Sequence, residues 1–125
     1  MRYLVLDSGA LIGFERSDRR TVGHISRAMG LGEVIAVPTP VVAQVWRDGR
    51  TQARLARLLA SDACNTIPLD DLTARTAGEI CRISGTTDVV DATVVAVARG
   101  YDAPVLTSDS DDLRRLDPTL QLVQV

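Results

Sequence analysis

Residues 3–12 read Tyr3-Leu4-Val5-Leu6-Asp7-Ser8-Gly9-Ala10-Leu11-Ile12. An apolar run of strand character stops at an aspartate, and Ser8 then opens a helix as its expected cap. In an open α/β sheet, the carboxyl ends of the strands form the crevice where ligands bind. A second junction of this kind lies near the other end, where Pro104-Val105-Leu106 runs into Thr107-Ser108-Asp109-Ser110-Asp111-Asp112. Between them, Asp88-Val89-Val90-Asp91 introduces the most apolar helix of the chain. Acids drawn together from distant segments repel one another unless a cation sits between them. The pattern predicts a divalent-metal site.

Working outward from these junctions, strand and helix patterns alternate along the chain. Asp18 caps a helix through about Met29, and Val34 to Val37 reads as a short buried strand. Pro40 suits the first turn of a helix carrying Val41 to Arg47, and Gly49 breaks it. Thr51 to Ala60 has an amphipathic pattern, with Leu55, Leu58 and Leu59 inward and Arg54 and Arg57 outward. Thr66 to Leu69 reads as a strand. Asp70-Asp71 starts a helix stopped at Gly85, and Asp88 caps the apolar helix Val89 to Ala98, ended by Gly100. Val105-Leu106 follows as a strand, then a short helix over Asp112 to Leu116 and a last strand over Leu120 to Val125. This alternation predicts an α/β class: a three-layer α/β/α sandwich on a mostly parallel central sheet.

Composition narrows the chemistry. At 125 residues with 46% apolar content, the expectation is one domain with its own core. The formal charge of −2 provides no global basic field, so polyanion binding must come from a local patch. All fourteen basic residues are Arg, and thirteen of the sixteen acids are Asp. Without Lys there is no P-loop, no Schiff base and no catalytic Lys. Cys64 and Cys81 lack zinc spacing and read as free thiols. Neither a signal peptide nor a membrane-spanning stretch is visible, so the expected compartment is the cytoplasm, with no membrane partner.

Asp88 and Asp91 lie three residues apart, on one face of the first turn of their helix. Asp88 reads either as a plain N-cap or as an acid of the site, and Asp7 likewise caps a helix or ligates. Asp109, Asp111 and Asp112 fit an Asx-turn and helix start as well as a ligand cluster. Asp91, set among apolar neighbours, is hardest to explain without a cation, because burying a lone carboxylate is prohibitive.

The chain resembles the PIN domain, and within it the small VapC-type ribonuclease toxins of bacterial toxin–antitoxin pairs. Four segments carry the resemblance: Leu6 to Ile12, Pro38 to Trp46, Val90 to Ala96, and Val105 to Leu113. By resemblance, Asp7, Asp91 and Asp109 correspond to the family's acidic metal-binding positions and Asp112 to a frequent accessory acid. One departure stands out: Gln44 occupies the helix position where the family usually carries Glu. The loss of one charge predicts weaker metal affinity, with Asp88 expected to supply the missing carboxylate. Asp48 is the second candidate, if the helix reaches it.

The resemblance implies a metal-dependent endoribonuclease using Mg²⁺ or Mn²⁺, the hard cations that all-oxygen donors select. Substrate is then held by cations nearby. Arg47 and Arg50 beside the Gln44 segment are the candidates, with Trp46 available to stack on an unpaired base. The same residues fit a solvated helix face with Trp46 in the core. His24 reads as a surface helix residue. The resemblance also supplies the partners: RNA as substrate, a cognate antitoxin protein, and a homodimer. Gln44 keeps open a catalytically weakened PIN-like module that binds nucleic acid or protein without cutting. A phospho-acceptor domain is disfavoured by the absence of Lys.

Overall fold

The computed structural model describes residues 1–125. Its elements run β1 (Tyr3–Leu6), α1 (Ser8–Glu15), α2 (Arg19–Gly30), β2 (Val34–Pro38), α3 (Thr39–Val45), α4 (Ala53–Ala60) and β3 (Cys64–Ile67). They continue with α5 (Asp71–Ser84), α6 (Val89–Tyr101), β4 (Val105–Thr107), α7 (Ser110–Leu116) and β5 (Leu122–Gln124).

The strands lie in the order β3-β2-β1-β4-β5, and every neighbouring pair is parallel. From β1 the chain builds outward through β2 and β3, then returns to add β4 and β5 on the other side. Right-handed crossovers place α1 to α4 over one face and α5 to α7 over the other. Helix packing agrees: α1 touches α2, α3 and α4, whereas α5, α6 and α7 touch one another. This is the expected α/β/α sandwich, with a wholly parallel sheet. The strand order reverses between β1 and β4, so the ligand crevice of such a sheet falls between those two carboxyl ends.

Strands covered on both faces should be continuously apolar. Val5, Leu6, Val105 and Leu106 are fully buried accordingly. Residues 92–98 of α6 are buried without a break, so this helix is surrounded on nearly all sides. Burying a Val or Leu contributes roughly 1.5–3 kcal/mol, and this run fixes where the first turn of α6, with Asp91, must sit.

Several boundaries differ from expectation, each for a local reason. Asp7, not Ser8, caps α1: its Oδ1 accepts from the Ala10 amide at 2.9 Å. β3 begins at Cys64, two residues early, because Ile35 to Pro38 of β2 pair with Cys64 to Ile67. α3 stops at Val45, and Trp46 is extended. The buried Gln52 carboxamide accepts from the Arg47 and Asp48 amides at 2.7 and 3.0 Å, which takes them out of the helical ladder. Asp48 therefore leaves the face of Gln44 and pairs with Arg50 at 3.1 Å. α6 passes through Gly100 and ends at Asp102, in the left-handed region with φ of 50°. Cys64 and Cys81 are free, and burial pushes the Cys64 thiol up to about 11. No helix is long and apolar enough to cross a membrane.

Candidate metal centre at the switch point of the sheet

Asp7 leaves the carboxyl end of β1 and is only 6% exposed. Its Oδ1 is held by the Ala10 amide, and its Oδ2 accepts from the Thr107 hydroxyl. Thr107 ends β4 and has no solvent exposure. The same hydroxyl oxygen accepts from the Asp109 amide at 2.9 Å. One buried threonine thus ties the two strand ends, and the acids that follow them, into a single unit.

Three helices begin at this crevice, and an aspartate caps each. Asp7 caps α1, Asp88 caps α6 by accepting from the Asp91 amide at 3.0 Å, and Asp109 caps α7 by accepting from the Asp112 amide at 3.3 Å. Each cap stabilises its acid locally, since helix amino ends favour negative charge. The cap reading of Asp7 and Asp88 and their place at the crevice hold together.

Electrostatics show which acids feel one another. Burial raises Asp7, opposed by its hydrogen bonds from Thr107 and Ala10, and Asp109 adds repulsion. Asp91 is pushed up to about 7, first by burial and then by the charges of Asp88, Asp7 and Asp112. Asp112 is raised by a hydrogen bond with Asp109 and by its charge, although Arg115 pulls the other way. Asp7, Asp88, Asp91, Asp109 and Asp112 therefore form one electrostatic neighbourhood drawn from both ends of the chain.

They are not drawn into a ligand cage as they stand: no three acidic, His or Cys side chains gather at ion-holding distance. The donor chemistry nonetheless fits a hard dication. The donors are carboxylates only, and the most buried pair, Asp7 and Asp91, are both destabilised as anions.

Gln44 sits in the last turn of α3, and its carboxamide oxygen accepts from the Ser8 hydroxyl, next to Asp7. It stands at the rim of the crevice rather than inside it. Trp46 is half-buried and packs against the core. Arg47 donates to the Ala43 and Trp46 carbonyls at 3.0 and 2.6 Å, and Arg50 is paired with Asp48. These three belong to the α3–α4 connection and make no hydrogen bond to the acids of the crevice.

Sequence reasoning passed over Arg115, Ser84 and Gly9. Arg115 and Ser84 line a cavity of about 210 Å³ together with Asp88, Asp91 and Asp112. Arg115 follows Asp112 by three residues, a helical spacing that could have flagged it. Gly9 lies so close to Ser108 that a Cβ there would meet its Oγ at 1.9 Å.

Comparison with known proteins follows the same line. The PIN domain family model matches residues 4–117. No curated protein matches the chain with comparable strength. The fold superimposes on a chain of VapBC2 from Rickettsia felis bound to a promoter DNA fragment, with TM-score 0.76, 15% identity and 98% of both chains covered. FitAcB from Neisseria gonorrhoeae gives TM-score 0.65 at 16% identity, covering 97% of this chain and 96% of that one. VapBC-5 from Mycobacterium tuberculosis, a member of the VapBC family of toxin–antitoxin systems, gives 0.59 at 23% identity over 100% of both chains. With the family model matched over nearly the whole length, the chain belongs to the PIN domain family.

Proposed function

We propose that this chain is a divalent-metal-dependent endoribonuclease, the toxin of a toxin–antitoxin pair. One observation carries the reading: aspartates from β1, α6 and the β4–α7 junction converge on the switch point of the sheet and repel one another there. Asp7, Asp91 and Asp109 are the residues that would hold Mg²⁺ or Mn²⁺, with Asp88 and Gln44 at the edge of the site. When bound, such an ion supplies positive charge for the reacting phosphate and activates water at neutral pH. Thr107 fixes the orientation of Asp7, and Asp112 is assigned the proton of the attacking water. Water is the nucleophile: its oxygen bonds to phosphorus, the ester P–O bond breaks, and the leaving oxygen takes up a proton. Arg47, Arg50 and Trp46 are assigned to outer contacts with the RNA.

The partner proposal rests on solved structures of similar fold, one a toxin–antitoxin complex from Klebsiella pneumoniae and one a member of the VapBC family of toxin–antitoxin systems. A groove of about 480 Å³ between α2 and α4 has Phe14, Val22, Met29 and Leu58 in its lining, with Arg54 and Arg57 beside them. It suits an apolar antitoxin segment carrying acids. Leu72, Ile83 and Val89 are exposed and would serve self-association into a homodimer.

A binding module that does not cut is favoured by one feature, the engagement of the Gln44 oxygen by Ser8. Incubating the protein with structured RNA and Mg²⁺ decides between the two. Cleavage that EDTA abolishes, and that Asp7→Asn and Asp91→Asn lower by at least about a hundredfold, supports the nuclease. Binding without any cleavage in Mg²⁺ or Mn²⁺ selects the module.

A further inference from the structure

Two clefts flank the acid crevice, one in each helical layer. The first, of about 210 Å³, is lined by Ser84, Thr86, Asp88, Asp91, Asp112 and Arg115 on the α5–α7 side. The second, of about 560 Å³, is lined by Gly9, Ile12, Gly13, Arg16, Thr21 and Ser108 on the α1–α2 side. The first has three of the acids in its lining, and the second is bordered by sequence neighbours of Asp7 and Asp109. Gly9 lies two residues beyond Asp7 and directly against Ser108, the residue before Asp109. On the reading of the site as a nuclease, we propose that the RNA strand crosses the carboxyl edge of the sheet. It would run from a phosphate subsite at Arg115 to a nucleoside subsite at Arg16.

Charge and size assign the two subsites. An acidic crevice repels phosphates, so each approach needs a cation. Arg115 is the one basic residue lining the first cleft. Its 3.2 Å pair with Asp112 is well exposed on both sides, so little holds it against an incoming phosphate. The Ser84 and Thr86 hydroxyls stand beside it as further donors. That volume falls below the roughly 300–1,000 Å³ of small-molecule sites, which suits a phosphate better than a base. The second cleft falls within that range, with Ile12 offering an apolar surface to a sugar or base.

The Arg16 amide donates to the Ile12 carbonyl at 2.9 Å, but its guanidinium forms neither an ion pair nor a hydrogen bond and is free for a backbone phosphate. Asp18 shares this cleft, but its Oδ2 is occupied by the amide and hydroxyl of Thr21. Arg50, by contrast, gives its Nε, Nη2 and amide to Asp48. It therefore offers the substrate less than Arg16 and Arg115 do.

The test is fluorescence anisotropy with a fluorescein-labelled single-stranded RNA in EDTA, repeated over a range of salt, beside cleavage kinetics in Mg²⁺. Arg16→Gln and Arg115→Gln are each expected to weaken binding about tenfold and to lower the salt slope by about 0.7. Arg75→Gln, at the exposed α5 pair with Asp71, should change binding less than about twofold. Arg16→Gln should raise KM and leave kcat unchanged, whereas Arg115→Gln, beside the reacting phosphate, should lower kcat as well. Lys at either position should restore most of the binding, which a merely structural role would not predict. If wild-type protein binds and cuts RNA while both Gln variants match it in affinity and salt slope, the track is wrong and the nuclease stands. If wild-type protein binds no single strand and cuts none, the nuclease reading fails and takes the track with it.

Discussion

Asp91 is the residue on which pH acts most directly. Between its unfolded value near 4 and its folded value of about 7, the native state holds a proton that the unfolded chain has lost. Stability therefore falls as pH rises through that window. Metal-free protein is expected to melt at a lower temperature near pH 8 than near pH 5, and Asp91→Asn should flatten the difference. Mg²⁺ at about a hundred times its Kd should add about 2.7 kcal/mol. Its effect on Tm should be larger at the higher pH, because the ion competes with the proton. Calorimetry at the two pH values checks both signs.

The neighbouring acids separate charge from capping. Asn still caps a helix, so Asp88→Asn removes the charge beside Asp91 and leaves the α6 cap nearly intact. Weaker Mn²⁺ binding by titration calorimetry is expected from Asp88→Asn and tighter binding from Gln44→Glu. Unchanged affinity in Asp88→Asn would end the idea that it compensates for Gln44. These acids were legible in the sequence because their type and strand-end positions announce their chemistry. Arg115 and Gly9 owe their importance to what lies across from them, which no local pattern records.

Among the elements, the α3–α4 connection depends on one side chain. Gln52 accepts from Arg47 and Asp48 and donates to Glu15 and the Val45 carbonyl at 2.9 and 3.0 Å. Gln52→Ala strands buried partners and should cost about 1–3 kcal/mol in urea unfolding. The α1–β4 contact is equally tight. Gly9→Ala drives a Cβ to within 3.0 Å of the Ser108 Cβ as well as into its Oγ. Overpacking of this kind costs about 1–3 kcal/mol, and the displaced β4–α7 junction should also lower cleavage, which Ser108→Ala in the same protein partly restores. Helix starts at Asp18 and Asp70 and the stop at left-handed Gly85 were readable, since caps are local. The end of α3 and the start of β3 were not, because they are set by Gln52 and by parallel register with β2.

For the molecule as a whole, strand and helix alternation showed the class and the acids showed the crevice, but neither contained the strand order. That order makes β1 central, flanked by β2 and β4, and puts the acids where the two helical layers meet. It also joins residues far apart in the chain: the Thr107 hydroxyl that orients Asp7 comes from 100 positions later. Translation adds those pieces in order. A half-synthesised polypeptide carries Asp7 without Thr107, Asp109 or β4, and so has no assembled centre. On the proposed reading, the ribosome has to translate past β4 and Asp109 before its product can attack RNA, so a nascent chain that stops short of them cannot cut its own transcript.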